Sequence, residues 1–164
     1  VIMAVLGSNE MFFHTFEPKV QNRFIMSIAG IPSFMIHKVD LPSFNENPQK
    51  IHHINTYFNF RGKREWKEAS LSLYDPINPS GVQAVMDWAR LGYEAVTGRA
   101  GYMDFYKQDI VVDELGPVGD YISEWVYKGA FVSSFTPGQR DWSNNGDAVT
   151  LDLKIAYDMG VLNF

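Results

Sequence analysis

The sequence predicts a mainly β fold, an antiparallel β-sandwich or partly open barrel carrying one packed α-helix. Three observations support this. From Ala148 to Tyr157 the chain alternates, with Val149, Leu151, Leu153, Ile155 and Tyr157 on one side and Thr150, Asp152, Lys154 and Ala156 on the other. That is the period of an antiparallel strand with one face on a core and the other on water or a partner. Shorter alternating runs recur between clusters of turn residues. Aromatics make up 15% of the chain, a share that suits strands.

Residues 1–20 lack a clean period and read as an extended N-terminal arm with room for a short helix. The run Val1 to Gly7 is too short for a signal peptide and has no basic leader. Asn22 to Ala29 is read as the first strand, with Phe24, Met26 and Ile28 on one face and Arg23 and Ser27 on the other. Gly30-Ile31-Pro32 signals a tight turn, and Phe34–Val39 returns to complete a hairpin. Asp40 to Lys50 is polar and turn-forming, hence a loop. Ile51–Phe60 is the next strand, with Ile54 and Phe58 on its core face and His53, Asn55, Tyr57 and Asn59 opposite. Arg61-Gly62-Lys63 turns the chain into Trp66–Tyr74, where Ala69, Leu71 and Leu73 face inward and Glu68, Ser70 and Ser72 outward.

One helix interrupts this pattern. Asn78 is placed to cap it, Pro79 suits its first position, and Val82, Val85, Met86, Ala89, Tyr93 and Val96 recur at three- and four-residue steps before Gly98 ends it. A single apolar stripe lays it across a sheet edge or a barrel mouth. Gly101–Phe105 is loop and Lys107–Leu115 a strand. Gly116 to Gly119 turns into Tyr121–Phe131, and the polar loop Asp141 to Gly146 precedes the final strand. At 164 residues and 46% hydrophobic content the chain fits one domain with a real core.

Charge and chemistry narrow the function. The net charge is −5 and the densest basic cluster is Arg61, Lys63 and Arg64, so tight nucleic-acid binding is disfavoured. No apolar stretch approaches the roughly 20 residues of a membrane span. There is no cysteine, hence no disulfide framework or thiolate metal site. His52 and His53 are adjacent, so on a strand they point to opposite faces, and His14 and His37 lie far apart with no carboxylate at zinc-like spacing. Asp109 and Asp113 share a strand face, which for most such pairs means two solvated acids and not an acid/base couple. No nucleophile elbow or phosphate-binding glycine loop occurs. No metal, cofactor or catalytic site is expected, and the four tryptophans (Trp66, Trp88, Trp125 and Trp142) read as core or interface packing.

Three segments add a family resemblance. They are Val85-Met86-Asp87-Trp88 on the helix, Tyr127-Lys128-Gly129 in the penultimate strand, and Asp141-Trp142-Ser143-Asn144-Asn145 before the alternating strand. With the order hairpin, long loop, hairpin, helix and two closing strands, they resemble the T4-like tail tube family of contractile-tailed bacteriophages. The resemblance spans Asn22 to Asp158, leaving the arm and the tail Met159–Phe164 beyond the shared pattern.

The resemblance implies a structural virion protein and not an enzyme. Such proteins form hexameric rings stacked into a tube, four strands per subunit completing one β-barrel around a lumen. Implied partners are further copies of the chain, a sheath protein outside, and baseplate or tube-initiator proteins. Tape measure protein and genomic DNA would occupy the bore without sequence-specific binding, and no membrane anchor is implied. The location is the phage tail, and the host cytoplasm during assembly. The family's inner strands map onto Phe34–Val39, Ile51–Phe60, Lys107–Leu115 and Tyr121–Phe131. Parity then directs His53, Asn55, Asn59, Asp109, Asp113, Glu124 and Lys128 to the lumen. Inter-ring contacts fall to the N-terminal arm and the loop residues Asp40, Ser43, Asn45, Glu46, Asn47 and Lys50. Tubes of bacteriocins and type VI secretion share the fold, and a monomeric ligand-binding β-barrel is the alternative from another class.

Overall fold

The computed structural model describes residues 16–164. In chain order its elements are β1 (Phe24–Ser27), β2 (Ile36–Val39), β3 (Phe44–Glu46), β4 (Gln49–His53), β5 (Thr56–Phe60), β6 (Arg64–Trp66), β7 (Ala69–Tyr74), helix α1 (Gly81–Gly92), β8 (Tyr93–Glu94), β9 (Arg99–Ala100), the one-turn helix α2 (Met103–Tyr106), β10 (Gln108–Leu115), β11 (Tyr121–Thr136), β12 (Thr150–Ala156) and β13 (Met159–Asn163). The frame is mainly β and antiparallel. The expected arm falls largely outside the described residues.

β11 spans both halves of the frame. Its first part pairs with β10 on one side and β13 on the other, and its last part pairs with β12. The strands therefore form two layers, β1-β10-β11-β13 and β11-β12-β7-β2, joined by the long β11 and by the β12–β13 run. The switch falls at Gly129, whose φ of +63° is a left-handed conformation that favours glycine. A Cβ there would lie 2.4 Å from an Asp158 carboxylate oxygen. Asp158 donates its N–H to the Lys128 carbonyl at 2.9 Å and pairs with Lys107 at 2.9 Å, fixing the bend from the other strand.

Between the layers lies one core, including Met26, Met35, Leu71, Leu73, Val85, Ile110, Val112, Tyr127, Leu151, Leu153 and Ile155, all nearly or wholly buried. The expected alternation holds on β7, β10 and β12: Ala69, Leu71, Leu73, Ile110, Val112, Leu151, Leu153 and Ile155 are buried. Tyr127 is buried too. Its hydroxyl donates to the Asp40 carbonyl, and burial foremost raises the phenol above its usual range.

Several expectations need correction. β1 and β2 do not form a hairpin: β1 pairs with β10 and β2 with β7, at opposite ends of the strand order. Gly30 (φ +83°) and a 3-10 turn at Ser33–Met35 carry the chain across the sandwich instead, burying Ile28, Ile31 and Met35 on the way. Ile51–Phe60 is not one sheet strand. It is the β4/β5 hairpin, reversing at Ile54 (φ +48°), and Ile54 and Phe58 are exposed, not core. Arg61-Gly62-Lys63 is no turn. It interrupts a ribbon in which β3 pairs with β6 below and β4 with β5 above, and a Cβ on Gly62 would sit 1.8 Å from the Asn47 carbonyl oxygen.

The helix is shorter than expected and rotated. Ser80, not Asn78, caps it through a contact from the Gln83 N–H at 3.4 Å, while Asp75 Oδ1 accepts from the Gly81 N–H at 3.0 Å. It ends at Gly92, and Gly98 turns the β8/β9 hairpin. Gly81, Val85 and Trp88 are buried, whereas Tyr93 and Val96 are exposed. Gly101–Phe105 includes most of α2, whose Tyr106 carbonyl accepts from Trp88 Nε1 at 2.8 Å. The tail, which lay beyond the family pattern, contributes a further strand: β13 pairs with β11 from Met159 to Asn163.

Candidate functional site

The four-stranded layer has one face on the core and one face open. Register fixes which residues share the open side. Ile25, Asp113, Glu124 and Asn163 form one row across β1, β10, β11 and β13. Ser27, Val111, Val126 and Val161 form the next. Lys128 and Met159 continue beyond them, with Asp109 beside Lys128. Of the expected lumen residues, the structure brings Asp109, Asp113, Glu124 and Lys128 together on this face.

The face is unequally neutralised. Lys128 Nζ meets Asp109 Oδ2 at 2.7 Å, and the Gly129 N–H donates to the other Asp109 oxygen at 3.1 Å. The lysine foremost holds the Asp109 carboxyl below its usual range. Asp113 and Glu124 stand directly opposite each other in the ladder. Burial and then the Glu124 charge push the Asp113 carboxyl up. Like charges in that position destabilise a sheet. Asn163 gives partial relief by donating to Glu124 Oε1 at 2.8 Å.

His53, Asn55 and Asn59 are elsewhere. They ride on the outer end of the β3–β6 ribbon, so their assignment to an inner sheet strand is corrected: among the described residues β4 and β5 pair only with each other. Every residue of β4 and β5 is exposed, among them Ile51, Tyr57, Phe58 and Phe60. Of the expected inter-ring residues, Asn45 and Glu46 lie on β3, Lys50 on β4, Asn47 between them, and Asp40 and Ser43 at the base. Glu46 is bridged by Arg61 at 2.8 Å and Arg64 at 2.6 Å, and the Arg64 hydrogen bond foremost lowers its carboxyl. Arg64 also covers the Phe44 ring at 3.9 Å, and Lys50 the Tyr57 ring at 4.6 Å.

The base of the ribbon is tied to the body. Trp66 packs on Phe44 and Tyr157, the Ser43 N–H reaches the Tyr157 hydroxyl at 3.1 Å, and Tyr127 holds Asp40. The ribbon is thus a polar and aromatic arm anchored at one end.

The four-stranded layer also ends in two strands with an unpaired side among the described residues, β1 and β13. Three successive antiparallel pairings separate them, so β13 runs opposite to β1. A copy related by rotation can therefore lay its β1 against β13 and continue an antiparallel sheet. Sequence reasoning missed both β13 and the role of β1 as an edge, although the alternation of Phe24, Met26 and Ile28 was visible.

Among the described residues no group of His, Asp or Glu is arranged to hold a metal ion, and no helix is long and apolar enough to cross a membrane. No protein-family model and no curated protein sequence matches the chain. Solved structures do. A chain in the cryo-EM structure of the anti-feeding prophage cap (AFP tube terminating cap) matches with TM-score 0.74 and 15% identity, over 96% of this chain and 99% of that one. One in the PVC sheath/tube terminator of an extracellular contractile injection system, extended state, gives 0.74 and 16% over 92% and 100%. One in the corresponding PVC sheath-tube complex gives 0.67 and 18% over 89% and 91%. At these identities the likeness is one of fold, and at that level it agrees with the resemblance to contractile-tail tube proteins.

Proposed function

We propose that this chain is a tube or tube-terminating subunit of a contractile injection machine, built from copies of itself and not an enzyme. The observation that carries this reading is the pair of mutually antiparallel edges that the four-stranded layer leaves unpaired among the described residues. A rotation that brings β13 of one copy to β1 of the next closes a ring and leaves that layer no exposed edge. The near-complete fold match to chains in tube-terminating and sheath-tube structures supports it.

The finer reading is a hexamer. Six copies of four strands make a twenty-four-stranded barrel. With strands ~4.8 Å apart and tilted by ~40°, its backbone diameter is roughly 48 Å. Barrels of 16–18 strands already hold an aqueous channel, so this bore is open. The Asp113–Glu124 row, with Asp109, Lys128 and Asn163, would line it. Two uncompensated acids per copy repel a phosphate backbone over the roughly 8–10 Å that salt permits. The like-charge pair then makes sense as a property of the ring at some cost to the monomer.

In this reading the ribbon reaches the next ring with Asn45, Glu46, Asn47, Lys50, His53, Asn55 and Asn59, while Asp40 and Ser43 hold its base. The sheath lies outside, and baseplate or tube-initiator proteins end the stack. A phage tail would carry tape measure protein and then DNA in the bore. The fold likeness to extracellular injection systems favours, as the second reading, a machine of that kind with another cargo. Native mass spectrometry and negative-stain imaging across protein and salt concentrations test the assembly. Rings with six-fold averages and stacked tubes are expected; monomers under every condition overturn it.

A further inference from the structure

β1 faces β2 across the sandwich without pairing to it, and the gap holds a cavity of about 550 Å³. Asn22, Phe24 and Met26 line one side, and Ser33, Phe34 and His37 the other. At the opposite end of the same layer, Phe164 follows β13 and is 100% exposed. We infer that Phe164 of one subunit seats in this gap on a second copy of the chain, as a plug that fixes the register of the edge-to-edge contact. The inference rests on the ring reading and specifies its joint.

Register supports the pairing. Leu162 stands opposite Trp125 on the core side of the layer, so Phe164, two residues on, shares that phase. Phe24 and Met26 hold the core side of β1, opposite Glu114 and Val112. Without stagger, the row of Ile25, Asp113, Glu124 and Asn163 continues from Asn163 to Ile25 of the next copy, which sets Phe164 against Phe24. A stagger must come in even steps, because an odd one would turn the core side of one strand to the open side of the next. One even step either way sets Phe164 against Asn22 or Met26. All three positions line the cavity.

The absence of native cysteine makes the test direct. Phe164→Cys and Ser33→Cys proteins are prepared separately, mixed, assembled and treated with a short bismaleimide. A cross-linked dimer is expected from the mixture and not when Ser143→Cys, on the distant polar loop, replaces Ser33→Cys. Phe164→Ala should raise the concentration needed for ring formation about tenfold or more, as loss of a buried aromatic anchor does, while a conservative Phe164→Tyr recovers much of it. Wild-type rings, together with mixed rings that give no specific cross-link, would overturn the plug and leave the ring reading standing. Failure of the wild-type protein to form rings would overturn both.

Discussion

Replacing Gly160 with alanine puts a methyl group where the ribbon base meets β13. Its Cβ would lie 2.5 Å from Pro42 Cβ, and 3.1 Å from both Pro42 Cγ and a ring carbon of Trp66. Carbon atoms rest at about 3.5–4.0 Å, so roughly 1 Å of movement is needed. Pro42 has little freedom to give it. On one side Asp40 is held by Tyr127, and on the other Ser43 is held by Tyr157. Overpacking of this kind costs about 1–3 kcal/mol. Against it stands a gain of about 0.4–1 kcal/mol from stiffening the unfolded chain. The net is about 1.3 kcal/mol of destabilisation, or a Tm lowered by about 3–5 °C for a domain of this size. The assay is thermal unfolding followed by circular dichroism, at a concentration where the protein is monomeric. Pro42→Gly in the same protein removes the nearest carbon atoms, so in that background Gly160→Ala should cost about 1 kcal/mol less. A Tm unchanged or raised by Gly160→Ala, or an equal cost in both backgrounds, would refute the packing argument.

Asp113→Asn should stabilise the monomer at pH 7 by about 0.2–1 kcal/mol, the scale of a like-charge cross-strand pair. Because the folded Asp113 carboxyl is raised above its ordinary 3.8, the gain should fade as pH falls through that raised value towards 3.8; denaturant melts at pH 7 and pH 3 showing a larger gain at pH 3 would contradict this. Trp88→Phe removes the hydrogen bond to the Tyr106 carbonyl and should cost about 0.5–1.5 kcal/mol, with faster proteolysis around α2 as the local readout. Replacing residues 49–60 with a two-residue Asn-Gly turn removes only exposed ribbon. Unfolding should change little and rings should still form, but they should not stack; long tubes in electron micrographs of this variant would remove the ribbon from the inter-ring contact.

The period of the strands was legible in the sequence wherever one face met the core. Leu151, Leu153 and Ile155, like Ala69, Leu71 and Leu73, alternate because a pleat buries every second side chain, and all six are buried. The same parity on β10 and β11 placed Asp109, Asp113, Glu124 and Lys128 on the side away from the core. Local pattern could not reveal which strand lies beside which. Asn22–Ala29 and Phe34–Val39 look like a hairpin because they are close in sequence, yet they pair at opposite ends of the strand order, and the link between them buries Ile28, Ile31 and Met35. Ile51 to Phe60 alternates as a sheet strand would, but a reversal at Ile54 turns it into a ribbon with no core beneath it. Met159–Asn163 becomes a strand only because β11 extends past its bend at Gly129 and offers a second partner site. Alternation specifies a pleat and its phase, properties of a few consecutive residues. Neighbours, edges and bends are set by burial along the chain, and the edges that β1 and β13 leave unpaired among the described residues exist only once that burial is complete.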